Sequence, residues 1–358
     1  MVVWIQNPFD NLPGEGFRKM RYSLMACALA DLGHDVTVWT SDFSHARKSK
    51  REIVEPAIDP RVKVRLVGTV PYSRNVSFKR VWSHLSYARS WLKEARAVCD
   101  AGERPSLIIT SFPTITAADA ALRLGRSVGA KVVVDVQDAW PETFQRILPR
   151  WALLPLKAKA KSIFRRADLV TGVCERYRKL TGRADYYKAY LGIELGVEKH
   201  VERAKAKAPL RMAYIGGTGV TYDLSTAGRA AADLGMELLV AGGKNPLGRQ
   251  ELEEMLSSCD VGLVPMDDAS WVGIPNKIFD YAKAGLPIVS SLKGESAELL
   301  EKYACGATFQ SGDAESLANA VRLALGSERG ASRRMCENEF DASRIYADYA
   351  LKVSAICS

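Results

Sequence analysis

The sequence predicts an α/β protein of two doubly wound, Rossmann-like domains facing a cleft, and three observations carry that expectation. Short apolar strands alternate with amphipathic helical segments along nearly all of the 358 residues, the pattern of βαβ units and parallel sheets. The length exceeds what one hydrophobic core fills. Apolar periodicity lapses around residues 192–209, which are charged and alanine-rich and read as a linker, and the strand–glycine–helix rhythm begins again at Leu210. The expected division is a first domain over 1–192 and a second over 193–339, with a closing helix at 340–358 packing back on the first.

The chain opens on an apolar strand at 2–6. Loop 7–16 follows with Gly14 and Gly16, then an amphipathic helix from about Phe17 to Leu32, stopped by Gly33, and a strand at 36–40. Ligands of parallel sheets sit at the carboxyl ends of strands, so loop 7–16 reads either as a site or as a plain glycine turn. Residues 42–60 read as a polar, mobile excursion. Residues 62–67 alternate as a half-exposed strand. From Arg74 to Ala97 runs a basic helical region carrying Phe78, Trp82, Tyr87 and Trp91. A buried strand at 107–110 leads to a helix at about 114–125. The strand after it, from Lys131, is expected to deliver Asp135, Gln137 and Asp138 to the carboxyl end of the sheet. There Asp138 is either functional or a loop-capping carboxylate. The segment 150–166 is basic and amphipathic, led by Trp151 and Leu154 and carrying Lys157, Lys161 and Arg165. That composition suits a helix lying in a membrane interface, and it also suits a solvated basic helix. A short strand at 168–173 ends this half.

The second half repeats the logic. A strand at 210–215 runs into the turn Gly216-Gly217-Thr218-Gly219, with a helix from about Leu224 and a strand at 237–241. The turn Gly242-Gly243-Lys244 precedes a helix at 251–258 and a strand at 260–265. The stretch 274–290 then reads as a loop closed by Pro275, a short helix N-capped by Asn276, a stop at Gly285 and a buried strand from Ile288. Helix N-termini bind anions through free amides and the helix dipole. Lys277 places a positive charge in that first turn, against the dipole, and local rules of this kind fail at functional sites. Helices at about 296–303 and 314–325 follow.

Composition narrows the function. Hydrophobic residues make up 47% and charged residues 25%, as in globular proteins. No run approaches the ~18 apolar residues of a membrane span, and the first residues lack the basic region of a signal peptide. The seven cysteines are scattered without a Cys-x-x-Cys pair, which points to reduced thiols in a cytosolic compartment. Four isolated histidines offer no metal cluster. Residues 1–190 hold 32 lysines and arginines against 18 carboxylates, and the remainder 18 against 23. A basic first half joined to a mildly acidic second half expects a polyanion at the first only: an anionic membrane or, less well supported for want of a motif, a nucleic acid.

Several motifs in order resemble a known family. These are the Gly-Gly-Thr-Gly turn, Ser258–Pro265, and Pro275-Asn276-Lys277 followed by Asp280-Tyr281 and Ala284–Pro287. Together they look like the nucleotide-binding half of the GT-B glycosyltransferases, most similar to the large retaining group called family 4. Gly219–Leu224 resembles the Gly-x-x-Tyr-Asp-Leu of its polysaccharide branch. Asp138-Ala139-Trp140-Pro141-Glu142 resembles an Asp-x-Trp-Pro-Glu motif of the first half, and Ala167–Val170 with Cys174 the family's Ala-Asp-x-Val…Ser segment. The resemblance implies that Gly216, Gly217, Thr218, Tyr222, Asp223, Gly242, Pro275, Asn276, Lys277, Ile278 and Asp280 bind a nucleotide-sugar donor, a UDP-sugar foremost. It implies Asp138 and Lys277 as the catalytic pair, with no metal or other cofactor. Gly14, Glu15, Gly16 and Arg18 would meet the diphosphate of a polyprenyl-linked glycan acceptor, and the helix at 150–166 the inner face of the cell membrane. The activity implied is sugar transfer with retention in bacterial surface polysaccharide synthesis, by a cytoplasmic, peripheral membrane enzyme that binds no nucleic acid.

Departures from the family pattern are specific. Of its two glutamates separated by seven residues, one is replaced by Asp280 and the other by Val272, and its strand-end histidine gives way to Gln137-Asp138. A nucleotide-sugar 2-epimerase of the same fold and a basic nucleic-acid-binding protein are the alternatives. A dinucleotide-dependent dehydrogenase is disfavoured, because Tyr222 and Lys19 stand where the third glycine of the fingerprint belongs.

Overall fold

The structure, a computed structural model, describes residues 1–358 apart from 16–18, 53–56, 75, 76, 147, 197–208, 218, 220, 221, 244–246, 268, 269, 329 and 358. It divides into two compact units, Met1–Ala189 with Ser343–Ser358, and Tyr190–Ala342. Most of the expected linker lies outside the described residues.

In the first unit the elements run β1 (Val2–Gln6), α1 (Arg21–Asp31), β2 (Asp35–Ser41), β3 (Phe43–Ser44), β4 (Ser49–Lys50), β5 (Val62–Val67), α2 (Phe78–Asp100), β6 (Leu107–Phe112), α3 (Ile115–Val128), β7 (Lys131–Val136), α4 (Arg150–Arg166), β8 (Leu169–Gly172), α5 (Arg176–Thr181) and β9 (Tyr187–Lys188). A parallel sheet takes the order β5-β2-β1-β6-β7-β8-β9. The order reverses beside β1, so the switch point at which such sheets bind ligands lies at the loop after β1. Trp4, Trp39 and Trp91 pack in sequence at centroid separations of 5.1 and 6.4 Å, each fully buried.

In the second unit β10 (Arg211–Ile215), α6 (Leu224–Asp233), β11 (Glu237–Ala241), α7 (Arg249–Ser257), β12 (Val261–Val264), α8 (Asn276–Lys283), β13 (Ile288–Ser290), α9 (Glu295–Lys302), β14 (Gly306–Thr308), α10 (Ala314–Leu325) and α11 (Ala331–Glu339) form a parallel sheet β11-β10-β12-β13-β14 with its helices. Its switch point lies beside β10, at the Gly216 turn. Met212, Leu263, Val289, Leu317 and Val321 fill its core. The last helix, α12 (Ala342–Ser354), returns the chain to the first unit.

Several expectations are corrected. The first helix starts at Arg21 rather than near Phe17. Met20 takes the N-cap position with extended backbone and no side-chain cap, and Asp10 is buried in the loop before it. Asn276 is not the N-cap of α8: Pro275 takes that position with extended backbone, and Asn276 is the exposed first helical residue. A proline fixes its own φ and ends the preceding loop, which moves the boundary one residue earlier. The region 42–60 is no simple polar excursion, because β3 and β4 pair there and Phe43 and Arg51 are buried. The closing helix begins at Ala342, and α5, α11, β9 and β14 are additions. Asp135 does stand at the carboxyl end of β7, as its penultimate residue, but its carboxylate is turned inward and committed to internal partners. It lies fully buried, its two oxygens taking Arg21 Nε at 2.8 Å and Nη2 at 2.7 Å, Tyr22 Oη at 2.9 Å and Thr171 Oγ1 at 2.6 Å. Burial alone would raise its pKa, but the Arg21 charge and these hydrogen bonds hold it below the usual carboxylate value. Arg21 also donates to Ala189 O at 2.8 Å and lies over Tyr346 and Tyr349 of α12.

Candidate functional site

In the second unit the carboxyl ends of β10 and β11 and the first turn of α8 bring Gly216, Gly242 and Lys277 together. Gly216 (φ 125) follows β10 and Gly242 (φ 116) follows β11, both in a region that side chains rarely enter. A Cβ on Gly242 would stand 2.3 Å from Gly216 O, and one on Gly216 would stand 3.5 Å from Lys277 Nζ. The two glycine turns therefore touch, and the lysine ammonium lies beside them. Gly242→Ala is expected to lower stability by at least ~2 kcal/mol through the positive φ and the clash, read as a drop in melting temperature, and to weaken any anion binding at the turn.

Lys277 is 5% exposed, and its ammonium has no hydrogen-bond partner. It sits 4.2 Å from the Tyr214 ring centroid and 3.9 Å from that of Tyr222, so two aromatic faces hold it by cation–π attraction. Burial brings its pKa down to about 7. Tyr214 Oη donates to Gly217 O, tying the ring to the glycine turn. Tyr281 Oη accepts from Ile215 N–H at 3.0 Å and reaches the Ala213 and Leu263 carbonyls, each at 3.1 Å, so it locks α8 to the ends of β10 and β12. A buried cation without a hydrogen-bond partner, beside two glycine turns and in the first turn of a helix, has the chemistry that suits an anion.

Other donor-site candidates fall around it with different functions. Asp223 N-caps α6, accepting from Thr226 N–H at 3.0 Å and Thr226 Oγ1 at 2.6 Å. Ile278 is buried and its N–H donates to Pro275 O at 3.0 Å. Asp280 is half-buried, Gly217 and Asn276 are exposed, and Thr218 lies outside the described residues. Tyr214 was not singled out from the sequence. Its period-two position within a buried strand is indistinguishable from a core residue until the lysine is placed.

In the first unit Asp138 follows β7, half-buried, with Oδ1 accepting Ala139 N–H at 2.8 Å and Oδ2 accepting Trp140 Nε1 at 3.1 Å. Burial raises its pKa. His84 of α2 stacks on Trp140 at 5.9 Å, and Arg80 lies over Trp140 and Phe9 at 5.7 and 5.6 Å. His84 Nε2 is buried without a partner, and burial with the Arg80 charge brings its pKa down to about 4. Sequence reasoning missed His84, which approaches Asp138 only through the packing of α2. Of the acceptor candidates, Gly14 lies in a 3-10 turn (Pro13–Glu15), and Gly16 and Arg18 are outside the described residues. Glu15 points inward, its Oε2 taking Arg51 Nη1 at 2.6 Å and Leu12 N–H at 3.0 Å. On α4, Trp151 and Leu154 are 73% and 61% exposed, Lys161 and Arg165 are exposed, and Lys157 pairs with Glu142 at 3.2 Å. No described helix is long and apolar enough to cross a membrane.

Two doubly wound units define the class as an α/β protein of Rossmann-like domains, and one of them sets a buried lysine beside two glycine turns. Comparison with known proteins narrows this. Residues 21–189 match the model of the Glycosyl transferase 4-like domain, and residues 181–327 that of Glycosyl transferases group 1. The chain thus joins a glycosyl transferase 4-like domain to a glycosyl transferases group 1 domain, and it is a glycosyltransferase of GT-B fold. No curated protein matches it in sequence. Among solved structures it is similar to sucrose-phosphate synthase from Thermosynechococcus elongatus, with a TM-score of 0.73 and 13% identity over 99% of this chain and 98% of that one. HepE from Anabaena in complex with UDP-glucose gives 0.65 and 13% over 99% and 100%. The catalytic domain of starch synthase IV from Arabidopsis thaliana, bound to ADP and acarbose, gives 0.65 and 11% over 99% of each chain. At such identities the likeness is one of fold.

Proposed function

We propose that the protein transfers a sugar, with retention, from a nucleotide-diphosphate sugar to a lipid-linked glycan acceptor, in bacterial surface polysaccharide synthesis at the cytoplasmic face of the membrane. The observation that carries the donor half is Lys277, an ammonium buried without a hydrogen-bond partner beside Gly216 and Gly242. As the bond from the sugar's anomeric carbon to the phosphate oxygen breaks, the diphosphate gains charge, and a pre-placed cation stabilises that charge more than the ground state. The acceptor hydroxyl bonds to the anomeric carbon from the same face and gives its proton to the departing phosphate oxygen, so no protein nucleophile is needed. Asp138 orients the acceptor hydroxyl or the sugar. Because Lys277 supplies the neutralising charge, the reading requires no divalent metal. The HepE and starch synthase structures, which hold UDP-glucose and ADP, make a uracil or adenine nucleotide the first to try. The exposed Trp151 and Leu154 on a basic helix support the membrane-bound acceptor.

Melting-shift measurements with UDP, GDP and ADP and their sugars test the donor half. One nucleoside diphosphate at ~100 times its Kd is expected to add ~2.7 kcal/mol of stability, several degrees in melting temperature, and EDTA leaves that shift unchanged. Absence of a shift with every nucleotide sinks the reading.

A further inference from the structure

Helix α2 carries two apolar faces. The inner one, with Ser83, His84, Tyr87 and Trp91, is buried in the first unit. The outer one consists of Phe78, Val81, Trp82 and Leu85, the i, i+3, i+4, i+7 spacing of an amphipathic stripe. It is largely bare, with Phe78 95%, Val81 58% and Trp82 54% exposed. An apolar groove of about 640 Å³ runs between this stripe and the Val70–Pro71 segment, with Lys79 at its rim. A contiguous exposed face of this kind marks an interaction surface.

The surrounding charge selects the partner. From Phe78 to Lys93 the helix carries Lys79, Arg80, Arg89 and Lys93 and no acidic residue, and Arg89 lies over Trp82 at 5.8 Å. A second copy of this face would set cations against cations. An anionic bilayer offers both complements at once: an apolar boundary for Phe and Trp rings, and lipid phosphates for Lys and Arg.

Topology places the stripe at the working edge. Helices α2 and α4 each connect parallel strands, β5 to β6 and β7 to β8, so both run against the strands and start at the carboxyl edge where Asp138 leaves β7. The two helix ends are physically bridged. Arg80 lies over Trp140, Trp140 meets Phe144 at 4.6 Å, and Leu148 N–H donates to Phe144 O at 2.8 Å, leading to the exposed Trp151 and Leu154 of α4.

We infer that the outer stripe of α2 is a membrane-docking face, which seats Phe78 and Trp82 at the headgroup–acyl boundary of an anionic bilayer beside α4. The inference rests on the membrane-acceptor reading above. It adds that α2 is required for docking and that the acceptor edge of the first unit is held at the lipid surface.

Flotation with phosphatidylglycerol-containing vesicles tests it, comparing the parent protein, Phe78→Ser alone, the triple variant Phe78→Ser/Val81→Ser/Trp82→Ser, and Trp151→Ser/Leu154→Ser. The parent is expected to float, less at high salt as screening shortens the reach of the lipid charge. The triple variant should lose at least about tenfold in partitioning, with Phe78→Ser intermediate. Because these side chains are exposed, both variants should keep the parent's melting temperature and its nucleotide-induced shift. Should the triple variant lose its fold, Phe78→Ser decides alone. If the α2 variants float like the parent while the α4 variant does not, the α2 face is wrong and the membrane reading stands. A parent that does not float overturns both, whatever its nucleotide binding.

Discussion

Lys277→Ala is expected to lower nucleoside diphosphate affinity by about 30- to 150-fold and kcat/KM by more. A charge-assisted contact to phosphate contributes roughly 2–3 kcal/mol, and each 1.4 kcal/mol is about tenfold. Titration calorimetry against the nucleotide that shifts the melting temperature reads the first number. Unchanged affinity would remove the central assignment. The same lysine should act oppositely on the empty protein. Its ammonium is buried between Tyr214 and Tyr222 without a hydrogen bond, so Lys277→Met, which keeps the apolar stem, should raise unliganded stability by about 1–2 kcal/mol.

The pH dependence follows with its sign. The folded-state pKa of Lys277 is about 7 against the ordinary 10.5. Between those values the unfolded chain keeps a proton that the folded chain has released, so unfolding takes one up and stability rises with pH across that window. Below pH 7 both states hold the proton and this contribution is flat. Diphosphate binding needs the ammonium, so affinity should fall as pH rises above about 7, by at most about tenfold per unit. Lys277→Met should show no such slope.

Asp135→Ala is expected to cost about 3–5 kcal/mol, the largest stability loss among the variants considered, because it strands the Arg21 guanidinium in a fully buried site. Denaturant unfolding measures it, and a loss under about 1 kcal/mol would show the pair to be dispensable. Arg21 links α1 to β7, to Ala189 O and to the tyrosines of α12, so the carboxyl-terminal residues of the chain should loosen together with α1. Since Asp135 has its pKa lowered in the fold, its stabilisation is complete above the ordinary carboxylate pKa of about 3.9 and is lost as pH falls through the depressed value.

Much of the architecture was legible from local pattern. Apolar runs at 2–6, 107–110 and 260–265 are strands because period and β-branching are properties of neighbours in sequence. The turns at 216 and 242 announced themselves as glycines between strand and helix. The first-turn Lys277, and the order of motifs that resembled GT-B glycosyltransferases, were also visible in the chain alone. These features need no knowledge of what lies across the fold.

What only the tertiary structure decided are the partners. Asp135 and Asp138 are three residues apart on one strand end, yet the first is an internal counter-ion and the second a half-buried carboxylate at the sheet edge. The difference is made by Arg21, 114 positions away in the chain. The α2 helix reads as one aromatic, basic helix until packing shows that Tyr87 and Trp91 face inward and Phe78 and Trp82 do not. Tyr214 becomes part of a cation site only when α8 sets Lys277 against it. Burial and charge pairing depend on which strands and helices meet, and that is fixed by long-range packing, which no window of the sequence contains.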